Sequence, residues 1–358
     1  MKFWSQPRFL IFGLLLSATS LSAAEGPLRS TLERSNVADL VGGEARLSFT
    51  LHNDGTEPLY VLARQTPLRG LRADLFDVRR EGERVPYVGP LHRFAPPRPV
   101  DYVRLEPGES LTVPVDLEGS YDIAKSGRYS VRFRPGLEGF RRNGEAAFVA
   151  ITSTPASTPL RFVLEREETA APEAHTAPTL ENANPASLVP TTFLCSTSRI
   201  NQIQQALPVA DTMATKALTT LNNGITGPVP PTYTTWFGAF SPTLYMGVLL
   251  DFANIQKTLD SRQLSFYCDC FEADTYAYTS KAQQGHIHLC PLFWSAPLSG
   301  LNSKADTLVH ESSHWPSWGA DSDDYVYGIT NSKNLALFAP GFAVDNADNF
   351  AYFASSQP

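Results

Sequence analysis

His310-Glu311-Ser312-Ser313-His314 is the stretch in which residue types and spacing together describe a reaction. On a helix, positions i and i+4 share a face, so both imidazoles can reach one zinc ion and Glu311 can hold a water beside it. The chemistry is metal-assisted hydrolysis. Glu311 takes the proton as the water attacks, then passes it to the leaving group. That requires a helix, and the neighbouring residues predict one. Ser303 can cap its start with Asp306 three residues on, Ala305, Leu308 and Val309 supply an apolar face, and Pro316 stops it after the second histidine.

A third ligand can be sought by elimination. After His314 the chain contains no His, Glu or Cys, and Ser317 and Ala320 occupy the places where an extended motif would need Gly and His. Aspartate remains: Asp321, Asp323, Asp324, Asp345 or Asp348. Gly319 can turn the chain back over the helix end, which favours the cluster Asp321 to Asp324; the competing readings of that cluster are a solvated acidic loop or a calcium site. His286 and His288 flank Ile287 and would share one face of a strand. They are read as surface or cleft-lining residues.

The rest of the 358-residue chain must position this helix, and its length suits about two domains. Residues 1–24 run from Lys2 and Arg8 through an apolar stretch to Ser22, Ala23 and Ala24, the pattern of a secretory signal peptide. Residues 25–150 alternate with a period of two, as in Leu47, Phe49 and Leu51 or Leu111, Val113 and Val115, and predict an antiparallel β-sandwich. Its histidines, His52 and His92, are read as surface residues. Residues 151–190 turn to Thr, Pro, Ala, Ser and Glu and read as a cleavable linker, with Leu160 to Leu164 as one last strand. From residue 191 the spacing is helical, with Pro208 predicted to break one run into two helices or kink it. The formal charge of −7 lies almost wholly there, since residues 191–358 hold seven basic and thirteen acidic groups. An acidic protein of this kind is not built to coat nucleic acid or an anionic membrane. No segment after the signal is apolar enough to span a bilayer, so a soluble, secreted product is expected, with its four cysteines paired.

Several motifs in order carry a resemblance. Tyr233-Thr234-Thr235-Trp236-Phe237-Gly238, Cys268-Asp269-Cys270, Leu289-Cys290, the HExxH itself, Asp324-Tyr325-Val326-Tyr327-Gly328 and Asn346-Ala347-Asp348-Asn349 resemble the aspzincin metalloendopeptidases, the deuterolysins and peptidyl-Lys metalloendopeptidases. The resemblance covers most of residues 191–358. It implies an α+β zincin-like catalytic domain with one zinc ion per chain held by His310, His314 and Asp324, Asp321 or Asp323 being the weaker alternatives. It implies Glu311 and Tyr327 as catalytic residues, the Tyr327 phenol stabilising the oxyanion. It implies disulfides Cys195–Cys268 and Cys270–Cys290. Asp348 matches one member of an acidic pair that receives a lysine side chain, but Ala351 stands where those relatives place Glu; a preference for a basic or polar residue after the scissile bond is expected, in a wet pocket. Because a secreted protease could digest its producer and a cleavable linker precedes the matched residues, the N-terminal sandwich is expected to be a prodomain, an intramolecular inhibitor and folding aid removed by a cut near residues 185–192, rather than a retained module that binds a surface or substrate; the expected partners are protein or peptide substrates of a monomer. The alternative is a secreted binding or adhesion protein with a retained sandwich and a degenerate zinc site.

Overall fold

The computed structural model describes residues 27–34, 45–134, 141–142, 157–165 and 190–358. The signal peptide expected at residues 1–24, and residues 151–156 and 166–189 of the expected linker, lie outside the described residues. The strands are β1 (Leu28–Arg34), β2 (Arg46–Asn53), β3 (Leu59–Leu62), β4 (Phe76–Arg80), β5 (Glu83–Arg84), β6 (Leu91–Phe94), β7 (Tyr102–Leu105), β8 (Ser110–Asp116), β9 (Gly127–Phe133), β10 (Arg141–Arg142), β11 (Leu160–Leu164), β12 (Thr191–Phe193), β13 (Ser265–Tyr267), β14 (Thr275–Thr279) and β15 (His286–Leu289). The helices are α1 (Thr197–Thr226), α2 (Pro231–Phe237), α3 (Pro242–Ser261), α4 (Pro291–Ser295), α5 (Lys304–Ser313), α6 (Ile329–Phe338), α7 (Pro340–Ala343) and α8 (Ala347–Ser355).

The alternating residues of the N-terminal region make antiparallel sheets ordered β1-β2-β8, β10-β3-β7 and β11-β9-β4-β5. In β2, Leu47, Phe49 and Leu51 face inward and sit opposite Val115, Val113 and Leu111 of β8. They join one core in which the rings of Phe49, Phe76 and Phe133 meet at 4.8 to 6.5 Å. A second, separate core gathers apolar residues from Ile203 to Ala354, contributed by α1, α2, α3, α5 and α8 and by the sheet strands β13 to β15.

Helix α1 runs through Pro208 as one helix, so of the two expected outcomes the break into two helices does not occur. The proline lies on the exposed face, where water can take up the carbonyl it leaves unbonded. Helix α5 is the opposite case, with every residue from Lys304 to Ser313 buried. Its first turn is closed locally: the Ser303 hydroxyl accepts from the Asp306 amide at 3.1 Å and the Thr307 hydroxyl donates to the Ser303 carbonyl at 2.8 Å.

The remaining sheet has the order β12-β13-β15-β14-β6. Strands β12, β13 and β15 are parallel and β14 runs antiparallel to β15. The last member, β6, belongs to the N-terminal region and pairs antiparallel with the outer edge of β14, Arg93 opposite Ala277 and Leu91 opposite Thr279. The N-terminal region therefore contributes a strand to the sheet beside the HExxH helix. His92 is accordingly buried rather than superficial, its ring against Tyr278 at 5.0 Å, while His52 stays on the outer face, bonded to Ser110.

Disulfides join Cys195 to Cys268 and Cys270 to Cys290, closing separations of 73 and 20 residues. In the chain-entropy account these loops stabilise by roughly 4 and 3 kcal/mol. Replacing Cys195 and Cys268 together by Ser is expected to lower the denaturant midpoint more than replacing Cys270 and Cys290, as read by equilibrium unfolding of each full-length variant. Among the described residues no helix is long and apolar enough to cross a membrane.

Candidate metal and catalytic site

Two histidines on α5 and an aspartate from a returning loop converge. His310 Nε2 lies 3.3 Å from Asp324 Oδ1 and His314 Nε2 lies 3.4 Å from Asp324 Oδ2, with all three side chains shielded from solvent. Among the described residues this trio is the group able to hold a metal, its ligand atoms lying within 4.8 Å of one another. His286 and His288 make no such group: His288 is stacked between Tyr267 and Tyr278 and faces Asp269 at 2.8 Å.

The loop owes its path to Gly319. The chain after α5 folds back, with the Ala320 and Ser322 amides both donating to the Ser313 carbonyl and the Gly319 amide to that of Trp315. A Cβ at Gly319 would stand 2.0 Å from the Ser312 carbonyl oxygen. Backbone cannot yield there as a side-chain tip can, so Gly319→Ala is expected to displace Asp324 and to reduce bound zinc at least about tenfold, a loss of the size caused by disturbing a ligand's support. Metal analysis of the purified protein checks it. Asp321 and Asp323, the alternative ligands, turn instead to the Lys281 ammonium at 3.0 and 2.8 Å, so the acidic loop is neutralised by a lysine.

The other ring nitrogens fix the tautomers. His314 Nδ1 faces the Ser322 carbonyl at 2.9 Å, which can only accept, so this nitrogen carries the proton and Nε2 presents its lone pair. His310 Nδ1 faces Asp348 Oδ1 at 2.9 Å with the same result. His310 Nε2, His314 Nε2 and both Asp324 oxygens are buried without a hydrogen-bond partner. Four orphaned acceptors around one point would be costly, and a divalent cation satisfies all of them; two neutral imidazoles and one carboxylate suit zinc.

Glu311 lies in the same interior, its two oxygens also without partners. Burial pushes its carboxyl up to about 7, poised to accept and release a proton near neutrality. Tyr327, on the segment leading into α6, is buried beside the trio, its ring edge-on to Phe94 at 5.5 Å and under the Arg64 guanidinium at 4.6 Å. Asn346 clamps that segment, its side-chain oxygen accepting from the Tyr325 and Val326 amides at 2.9 and 3.1 Å. Asn349 in turn donates to the Trp236 and Ser332 carbonyls. The two asparagines of the Asn-Ala-Asp-Asn motif thus hold the backbone, a role that the motif itself does not reveal.

Asp348 departs from expectation. Rather than lining a wet pocket it is 1% exposed, one oxygen taken by His310 Nδ1 and by Arg93 Nε at 3.1 Å, the other by the Gly328 amide at 2.8 Å. The Arg93 guanidinium lies against it instead. Sequence reasoning missed Arg93 and its second partner Asp306, which the guanidinium meets at 2.7 Å.

Two buried imidazoles four residues apart and a facing carboxylate, a group able to hold a metal ion, are the arrangement of the HExxH class of metallopeptidases. Residues 227–355 match the family model described as lysine-specific metallo-endopeptidase, the aspzincins. The chain is 33% identical to the extracellular protease of Aeromonas hydrophila over 98% of its own length and 96% of that protein's. It is 40% identical over 164 residues to the peptidyl-Lys metalloendopeptidase of Pleurotus ostreatus, which covers 46% of this chain and 95% of that one. A solved zinc peptidase from Grifola frondosa is similar at 36% identity, covering 46% of this chain and all of that one with a TM-score of 0.43. The protein belongs to the aspzincin family and is a zinc metalloendopeptidase.

Proposed function

We propose that the chain is the precursor of a secreted endopeptidase in which His310, His314 and Asp324 hold one zinc ion, Glu311 is the general base and Tyr327 donates to the oxyanion. The observation that carries this reading is the convergence of three ligand side chains with two orphaned Glu311 oxygens beside them. Zinc bound there supplies a Lewis acid for the water and the peptide carbonyl. Glu311 takes the proton from the attacking water and returns it to the departing amine, and its buried carboxyl is well matched to both transfers. The Tyr327 phenol supplies a hydroxyl donor for a developing oxyanion.

The precursor reading rests on two further observations. The N-terminal region has its own core and yet covers the edge of β14 and the Tyr327 ring. A relative also exists whose near-entire length corresponds to 164 residues of this chain, whereas another matches the chain almost end to end. In this reading residues 25–150 are an all-β prodomain, residues 151–190 the linker that is cut, and residues 191–358 the catalytic domain. The extracellular relative supports secretion.

Casein hydrolysis with and without a chelator tests the chemistry. N-terminal sequencing and zinc analysis of the active species in culture fluid test the maturation. The expected species is about 18 kDa at roughly 110 Da per residue, carries one zinc and is silenced by the chelator. A full-length protein with full activity contradicts the precursor, and chelator-resistant hydrolysis contradicts the metal mechanism.

A further inference from the structure

Arg93 is the buried cation of the catalytic half, and it comes from the other half. Its side chain is 1% exposed and three of its nitrogens each have a partner: Nη2 donates to Asp306 Oδ2 at 2.7 Å, Nη1 to Thr307 Oγ1 at 2.8 Å and Nε to Asp348 Oδ1 at 3.1 Å. The lining accepts only. Thr307 spends its hydroxyl proton on the Ser303 carbonyl and so turns a lone pair to the guanidinium. Both carboxylates are already held in place without Arg93, Asp306 by the Asn302 amide and the Ser355 hydroxyl, Asp348 by His310 and the Gly328 amide. This is a cavity prepared for a cation, with three acceptors set to match a planar fork rather than a point charge.

The backbone that delivers Arg93 is equally informative. Strand β6 adds to the open edge of β14 in antiparallel register, the way an extended peptide binds an exposed sheet edge while its side chains enter pockets. One side chain of this strand reaches the carboxylate that orients His310, and the next, Phe94, packs on Tyr327.

We propose that Asp306, Thr307 and Asp348 form a pocket for the guanidinium of an extended peptide laid along β14, and that Leu91–Phe94 fills it in the full-length chain as a substrate-like plug. The two carboxylates of the pocket are then Asp348 on α8 and Asp306 on α5. The pocket favours arginine over lysine, because its three acceptors meet three different nitrogens of one planar guanidinium, whereas an ammonium presents a single nitrogen. The inference rests on the peptidase reading above and adds to it the identity of the selecting residue and of the inhibitory segment.

Binding tests it without turnover. Full-length Glu311→Gln protein is compared with the same chain also carrying Arg93→Glu, which expels the strand by placing an anion between two carboxylates; Arg93→Met is the second variant, retaining the side-chain bulk without the charge. The probe is a fluorescein-labelled Leu-His-Arg-Phe peptide. It is expected to bind the Arg93 variants about a hundredfold more tightly than the chain with Arg93 in place, the scale of a buried charge pair broken on one side. Adding Asp306→Asn abolishes that binding, and peptides with Lys or norleucine for Arg bind at least about tenfold more weakly. Equal affinity for the chains with and without Arg93, or a norleucine peptide binding as well as the arginine one, overturns the proposal. Peptide binding by a chain whose Glu311 parent never cleaves casein sinks the peptidase reading alone; casein cleavage without peptide binding sinks the pocket alone.

Discussion

Glutamine in place of Glu311 is expected to reduce hydrolysis of a protein substrate by about three to four orders of magnitude, the upper range for losing a positioned general base. Zinc content and melting temperature should stay those of the parent. The substitution is nearly isosteric, and neither Glu311 oxygen has a hydrogen-bond partner to lose. A glutamine amide cannot take up a proton at neutral pH, whereas a carboxyl raised by burial to about 7 takes it up and gives it back readily. The check is a progress curve with casein on matched zinc-loaded samples of processed enzyme. Retention of more than a tenth of the activity would remove Glu311 from the role of base.

Alanine at Asp324 should act one step earlier, on the metal itself. The two histidines alone leave two ligands, and zinc affinity is expected to fall by well over a hundredfold, beyond what the loss of an outer hydrogen bond costs. Protein purified through a desalting step should then carry essentially no zinc and no activity. The two nearby aspartates offer no rescue, because Lys281 holds both of them on the far side of the loop. Stoichiometric zinc in the variant would mean that one of them, and not Asp324, is the ligand.

The helix that carries the histidines was legible because everything it needs is local: the Ser303 cap, the apolar positions and the two imidazoles four residues apart. So was the return of the chain at Gly319, since only a residue without a Cβ tolerates that approach to the Ser312 carbonyl. The ligand choice among five aspartates was not local, and it took the resemblance to favour Asp324. Arg93 left no trace at all. Its partners lie 213 and 255 residues away, and Leu91 to Phe94 are buried on both faces, which removes the alternation by which a half-buried strand announces itself. Pro208 left two outcomes open, and the single helix is the one a proline on a solvated face allows, since it costs less there than in a core.

The pairing of β6 with β14 has a consequence for how silencing ends. While the two halves are one molecule, the strand meets its groove at an effective concentration of about millimolar, set by the tether and independent of dilution. A cut in the Pro- and Thr-rich stretch removes the tether without touching the strand, its ion pairs or its register. By the precursor reading, scission alone therefore leaves the groove filled. Release becomes a dissociation between two separate bodies, slow in a crowded compartment and favoured once the pair escapes into a large volume. Dilution would complete what proteolysis begins.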